Sequence, residues 1–207
     1  MEGQEQNEGT ISKGRLEALF DGIYAFAMTL LVTGLVISPI PKTLAQTELP
    51  ARLSAMHPEF LSFLISFFVL ASFWLVHHTQ FRFVRTVDRW LMRITLFILV
   101  FTVLIPFTTN VSGDYSDVQA AVDLFHINMF ILGTLFLVHW WYLVKNPRIT
   151  TGRIGEREAA RGIWRCTVVP AVSLAGLLFS FAEPSLSMAA YILIIPAFLI
   201  VDYRFPA

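Results

Sequence analysis

The chain has 207 residues, of which 56% are hydrophobic and only 14% charged, and its formal net charge at pH 7 is zero. A water-soluble domain usually carries about 25% charged residues, and zero net charge removes the long-range attraction that nucleic-acid-binding proteins use. A single cysteine, Cys166, excludes an intramolecular disulfide and a multi-cysteine metal site. The composition therefore predicts an all-α, polytopic membrane protein.

The N-terminal segment is polar and lacks an apolar centre, so we expect a disordered tail over 1–14 and no secretory signal. A bilayer core about 30 Å thick needs about 20 residues of apolar helix. Six stretches meet this requirement and place a six-helix transmembrane domain over 15–204, with a short end at 205–207. The six predicted spans are 16–37, 60–76, 91–109, 118–144, 163–182 and 186–201.

Basic residues are concentrated in alternate loops. Thirteen of the fifteen lysines and arginines lie in or next to four segments: before span one, between spans two and three, between spans four and five, and after span six. Lys42 and Arg52 lie between spans one and two, on the other side. Cytoplasmic loops retain Lys and Arg, so we expect a multi-pass protein of the cell membrane with both termini in the cytoplasm. A five-span alternative makes the Glu183-Pro184 turn a re-entrant dip and leaves Arg204 outside.

Charged residues open the first span. Arg15 and Asp21 are six residues apart, about 1.7 helical turns, so they lie on different faces and each needs a partner elsewhere. Trp74 and His77, three residues apart at the end of the second span, share a face and are candidate partners. Because an unpaired charge in a span is expensive, we expect a buried, hydrogen-bonded role for Asp21. The alternative is that Arg15 contacts lipid headgroups and Asp21 lies in interfacial water.

Gly22, Phe26, Thr29 and Thr33 follow at offsets of four, three and four, so they form one stripe along the first helix. On a lipid-facing helix such hydroxyls bond back to a carbonyl of the preceding turn. Around a symmetry axis they form rings of oxygen at mid-membrane instead. The residues alone leave both interpretations open.

Other polar residues interrupt the later spans, but no catalytic pattern joins them. Neither His126 and His139 nor His77 and His78 have the i, i+4 spacing of a helical metal site. The chain has no Gly-rich phosphate loop and no nucleophile elbow, so we expect neither an enzyme nor a metal or other cofactor. The loop arginines are explained by topology and anionic lipid, which makes membrane lipids expected partners and nucleic acid an unexpected one.

Three segments together resemble a known family. Residues 15–31, RLEALFDGIYAFAMTLL, are similar to the opening signature of the transmembrane protein 175 potassium channels, Arg-x-x-x-Phe-Ser-Asp followed by an apolar helix. The resemblance extends to 74–78, WLVHH, and to 88–109 in the third span. The six-span layout resembles a single prokaryotic repeat of that family.

The resemblance implies a homotetrameric, potassium-permeable, leak-type cation channel without the carbonyl filter of ordinary potassium channels. The first helix of each subunit then lines the pore, and K⁺ is the permeant ion. The implied constriction is Phe26, followed outward by Thr29, Leu30 and Thr33, with Gly22 on the same stripe. Bulky side chains gate such a pore by packing and dewetting.

The same resemblance implies a buried polar network of Arg15, Asp21, Trp74 and His77 that ties helix one to helices two and three. Several positions depart from the family pattern. They are Leu19 in place of Phe, Phe20 in place of Ser, Phe26 in place of Ile or Leu, and Thr95 in place of Asn. One network hydroxyl is therefore absent, and four phenyl rings at the narrowing either close the pore or form a cation–π collar.

Two other classes of function stay open at this stage. The first is a proton-coupled secondary transporter that uses Asp21 and His77 as titrating groups. The second is an assembly subunit of a larger membrane complex, which would transport nothing by itself. Ohmic conduction at both polarities distinguishes a channel from a saturable, pH-dependent carrier.

Overall fold

A computed structural model describes residues 12–205. The tail predicted over 1–14 and the end predicted at 205–207 lie mostly outside these residues. A one-turn 3₁₀ segment, Leu31–Gly34, extends the first helix, and a second, Met188–Leu193, joins the last two. The helices are α1 Lys13–Leu30, α2 Ala45–Ala55, α3 His57–Phe81, α4 Arg89–Val103, α5 Ile105–Asp114, α6 Gln119–Lys145, α7 Glu156–Ser180, α8 Pro184–Ser187 and α9 Ile194–Arg204.

Six helical stretches are long and apolar enough to cross a membrane, which confirms the predicted all-helical, six-span fold. The last of them runs from α8 to α9 as one 21-residue stretch, so the structure favours six spans over five. Spans one to six are Lys13–Gly34, His57–Phe81, Arg89–Asp114, Gln119–Lys145, Glu156–Ser180 and Pro184–Arg204.

The span bounds differ from the predicted ones where local chemistry intervenes. Span one stops at Gly34, where a Cβ atom would overlap the Asn110 side chain of α5. Span three is interrupted at Leu104 because Pro106 has no N–H to donate to the carbonyl of Thr102. Span five begins seven residues earlier than predicted, at Glu156, because its first two turns are charged and fall outside the apolar stretch.

The sequence prediction omitted helix α2. It has eleven residues, none of them buried, and contains a Glu48–Arg52 ion pair one turn apart with an N–O distance of 3.0 Å. A helix of this length cannot span a bilayer and has a weak apolar periodicity. Apolar length alone therefore could not find it.

The closest helix pairing joins spans four and five. Pro170 lies inside α7 and packs on Gly133 of α6, where a Cβ atom would lie 2.6 Å from Pro170 Cδ. Glycine lets the proline ring approach the α6 backbone, as small residues commonly do between membrane helices. Pro170 is thus accommodated inside span five by a specific partner on span four.

Two apolar clusters form the core. The larger lies within the membrane and joins all six spans, with Phe20, Tyr24, Ile98, Phe125 and Tyr191 among its members. The smaller cluster lies at one end of the bundle and is formed by buried side chains of spans one to five and of the loops between them. Its members are Leu16, Phe81, Val84, Val87, Leu91, Trp140, Leu143, Ile149 and Cys166.

This second cluster marks the end of the bundle that carries the thirteen basic residues, here called the basic end. The loops after spans two and four are joined there by a bridge between Val84 and Thr150. The Arg85 amide also donates to the Ile149 carbonyl at 2.8 Å. These contacts hold both basic loops on one side of the subunit.

Candidate pore-lining helix and its anchoring contacts

Helix α1 has one buried face and one outward face. Leu16, Phe20, Tyr24 and Ala27 of α1 are buried, and Leu31 continues that face into the 3₁₀ turn. The spacing of four, four, three and four residues is that of one side of an α-helix. Packing of this side into the core directs the opposite side out of the subunit.

The predicted stripe lies on the outward face. Gly22, Phe26, Thr29 and Thr33 are all exposed, and Phe26 keeps 63% of its side-chain surface accessible. Leu30 is only half-buried and lies at the border of this face. Four of the five predicted pore residues therefore share one surface of the isolated subunit, and their role in a pore stays a prediction.

The two threonine hydroxyls of the stripe bond to their own helix. Thr29 Oγ1 donates to the Phe26 carbonyl at 2.8 Å, and Thr33 Oγ1 donates to the Leu30 carbonyl at 2.6 Å. Because each proton is used within the helix, the oxygen lone pairs remain available on the outward side. These oxygens can accept hydrogen bonds from water or coordinate a cation.

One hydrogen bond anchors α1 to span two. Trp74 Nε1 donates to Asp21 Oδ1 at 2.8 Å, so the structure brings these two predicted network residues together. Asp21 nevertheless remains exposed in the subunit, at the edge of the outward face. The expectation of a hydrogen bond at Asp21 matches this geometry, whereas the expected burial does not occur within one subunit.

The other two predicted network residues do not join that bond. His77 is buried and stacks on the Phe20 ring, with centroids 3.2 Å apart and planes 5° apart. Its Nε2 atom has no hydrogen-bond partner among residues 12–205. Arg15 is exposed and forms no side-chain hydrogen bond or ion pair within the same range. A phenyl ring thus contacts His77 at the position where the family pattern has serine.

Residues that the sequence reasoning missed connect α1 and α3 to the rest of the bundle. The Tyr24 hydroxyl lies 3.1 Å from Thr102 Oγ1 of span three. Gln80 Oε1 lies 2.5 Å from His139 Nδ1, and Gln80 Nε2 lies 3.1 Å from Cys166 Sγ. Gln80 follows His77 by three residues, so it shares a helix face with it, but the predicted second span ended at residue 76.

A second buried polar cluster lies among spans four, five and six. His126 Nδ1 is 3.0 Å from the Tyr191 hydroxyl, and His126 Nε2 is 3.0 Å from Ser187 Oγ. Both ring nitrogens of His126 are therefore used within the protein. Over the described part of the chain, no three His, Cys, Asp or Glu side chains converge as metal ligands.

Taken together, these features define a multi-pass membrane protein in which the first span presents small, hydroxyl-bearing and aromatic side chains away from the subunit core. The family described as "Endosomal/lysosomal potassium channel TMEM175" matches residues 15–106. The "Potassium channel B446_29190" of Streptomyces collinus is 32% identical over 154 residues, which cover 72% of each chain. The chain belongs to the TMEM175 family, which consists of ion channels and not of enzymes.

The fold is shared with a solved member of the family. The structure titled as a lysosomal potassium-selective channel TMEM175 homolog from Chamaesiphon minutus superposes with a TM-score of 0.76 at 23% identity, over 94% of this chain and 98% of that one. The "Endosomal/lysosomal proton channel TMEM175" of Gallus gallus is 25% identical over 79% of this chain. This chain covers 35% of that protein's length. The family resemblance predicted from the three segments is therefore confirmed.

Proposed function

We propose that the protein is a potassium-permeable, leak-type cation channel, in which four copies of span one surround a central pore. The observation that best supports this proposal is the composition of the outward face of α1. Its exposed positions include Ala18, Gly22, Ala25, Thr29 and Thr33. Small and hydroxyl-bearing residues are typical of helix–helix contacts and water-lined surfaces in membranes, whereas a lipid-facing surface is covered by large apolar side chains.

The constriction in this proposal is formed by Phe26. It is the most exposed large apolar side chain of α1 and is followed by Thr29 and Thr33, about 4.5 and 10 Å further along the helix axis. Four phenyl rings would then narrow the pore beneath two rings of hydroxyl oxygens. Leu30, at the border of the face, would pack between neighbouring subunits. Opening would follow from ring repacking and wetting of the constriction.

The choice of potassium as the permeant ion is supported by the names of the relatives. The sequence has no Thr-Val-Gly-Tyr-Gly segment, so selectivity in this proposal depends on the constriction and the threonine oxygens. The transporter hypothesis is not favoured, because the matched relatives are named as channels. In addition, Asp21 bonds Trp74 while His77 stacks on Phe20, so the two groups have different partners in the subunit.

The proposed membrane orientation places the basic end in the cytoplasm. Thirteen basic residues lie at that end and two at the other, and the retention of Lys and Arg on the cytoplasmic side supports this choice. Both termini then lie in the cytoplasm of a cell-membrane protein. Surface accessibility of a tag at either terminus in intact cells would contradict it.

Potassium flux into liposomes that contain the purified protein tests the function. We expect a sustained ⁸⁶Rb⁺ or K⁺ flux that is linear with voltage at both polarities and does not saturate like a carrier. Protein-free liposomes provide the baseline. The mass of the chemically cross-linked oligomer in detergent tests the fourfold assembly. A silent wild-type protein together with a silent Phe26→Ala variant would contradict the channel proposal.

A further inference from the structure

A cavity of about 520 Å³ opens at the basic end between spans two, four and five. Four arginines line it, Arg82 at the end of α3 and Arg157, Arg161 and Arg165 on α7. Glu158 is the carboxylate of the lining, so positive charges exceed negative ones by three. The cavity volume falls within the range of about 300–1,000 Å³ that small-ligand sites occupy.

The four arginines divide into two pairs. Arg161 and Arg165 both contact Asp202 of α9, at 3.0 and 2.9 Å. These contacts fix the wall of the cavity and use part of its positive charge. Arg82 and Arg157 are exposed and form no ion pair with any carboxylate of residues 12–205. Two guanidinium groups therefore face the cavity with their hydrogen-bond donors available for an anion.

The cavity is not polar throughout. Phe83 and Trp140 belong to its lining, and the Trp140 indole is held by a 3.0 Å bond from Nε1 to the Ala159 carbonyl. Val76 adds an aliphatic side chain to the same lining. The lining thus combines charged, aromatic and aliphatic side chains.

We propose that this cavity binds the phosphate group of an anionic membrane phospholipid. Arg82 and Arg157 contact the phosphate, and the glycerol and upper acyl carbons lie against Val76, Phe83 and Trp140. A cavity with basic, aromatic and aliphatic lining fits an amphiphile, and basic pockets between membrane helices are known to hold phosphate-bearing headgroups. The aromatic and aliphatic lining favours a lipid over free phosphate, which has no apolar surface.

Native mass spectrometry of the purified full-length protein tests this site, with dioleoyl phosphatidylglycerol, dioleoyl phosphatidylcholine and inorganic phosphate as separate titrants. The double variant Arg82→Gln/Arg157→Gln is expected to weaken phosphatidylglycerol binding by about 30-fold and phosphatidylcholine binding much less, because the choline cation offsets the charge of its phosphate. The matched control is Arg89→Gln/Arg153→Gln, which removes the same charge at the same end from exposed side chains outside the cavity. This control is expected to bind like the wild type.

A second pair of variants changes the cavity at one exposed position. Thr79 lines the cavity, so Thr79→Glu adds a negative charge there and should reduce phosphatidylglycerol binding, whereas Thr79→Gln should not. Equal binding by the two double variants, or by the two Thr79 variants, overturns the proposal. Displacement of phosphatidylglycerol by an equal concentration of inorganic phosphate overturns the lipid assignment. The readout requires no ion flux, so it is independent of the proposed channel function.

Discussion

The first and last spans are equally exposed, yet their outward faces differ in chemistry. Within the subunit each buries 28% of its most apolar stretch. Span six presents large apolar side chains, with Ile195, Leu199 and Ile200 each more than 60% exposed. Span one presents Leu19, Phe26 and Val32 together with exposed glycine, alanine and threonine. The two spans therefore differ in the composition of their exposed faces and not in the extent of their exposure.

The largest expected difference between the two faces is in thiol accessibility. In a Cys166→Ser background, Thr29→Cys should react with a water-soluble thiol reagent on the order of a hundredfold faster than Leu199→Cys, because only the thiolate in water is reactive. The measurement is the labelling rate in proteoliposomes. Slow labelling at position 29, combined with fast labelling there by a lipid-soluble reagent, would remove the difference between the faces and with it the proposed pore.

The second largest effect is expected for flux through the constriction. Phe26→Ala should raise potassium flux into liposomes by about tenfold, because a wider and less apolar narrowing stays wetted. Phe97→Ala is the matched control, since Phe97 is also an exposed phenylalanine but lies on α4. Equal flux from both variants would mean that Phe26 does not obstruct ions.

A smaller effect on conductance is expected when the hydroxyl of Thr29 is removed from the proposed pore. Thr29→Val keeps the side-chain shape and removes the outward oxygen, so it should reduce potassium conductance a few-fold (about threefold) through lost coordination. Thr134→Val on α6 is the control, because the Thr134 hydroxyl likewise bonds a carbonyl of its own helix, at 2.7 Å. Single-channel recording in planar bilayers measures both, and identical reductions would assign the effect to helix stability instead.

The smallest effect concerns the attachment of span one to span two. Trp74→Phe removes the donor to Asp21 and should cost about 1 kcal/mol of unfolding free energy, the usual net value of one hydrogen bond. Trp141→Phe is the control, because Trp141 is 54% exposed and its indole has no hydrogen-bond partner in the described part of the chain. Thermal unfolding in detergent compares them, and an equal loss would show that the Asp21 bond adds no stability.

Apolar length was sufficient to predict the six spans, and helical periodicity was sufficient to place Gly22, Phe26, Thr29 and Thr33 on one stripe. Both properties are local, because a bilayer sets the length of a span and a turn of 3.6 residues sets its faces. Helix α2 was not predicted because it is short and polar. The role of Gln80 was not predicted because the residue lies beyond the apolar stretch, although its spacing of three from His77 indicated a shared helix face.

The contacts of the candidate site could not be predicted in the same way. The stack of Phe20 on His77 depends on the depth at which α1 and α3 cross, which no spacing within one helix specifies. The arginine-lined cavity depends on three spans that are distant in the chain. The family resemblance implied one network that includes Arg15 and His77, but within residues 12–205 His77 stacks on Phe20 and Arg15 forms no ion pair.

The seating of Pro170 against Gly133 has a mechanical consequence for the subunit. Because the Pro170 ring packs closely on the α6 backbone at Gly133, sliding of one helix along the other would require the two to separate, so we expect spans four and five to move together. Span one is attached by the Trp74–Asp21 bond, the contact of Tyr24 with Thr102 and the stack of Phe20 on His77. In the proposed channel, we therefore expect a change in pore diameter to require α1 to move against these contacts while spans four and five stay together.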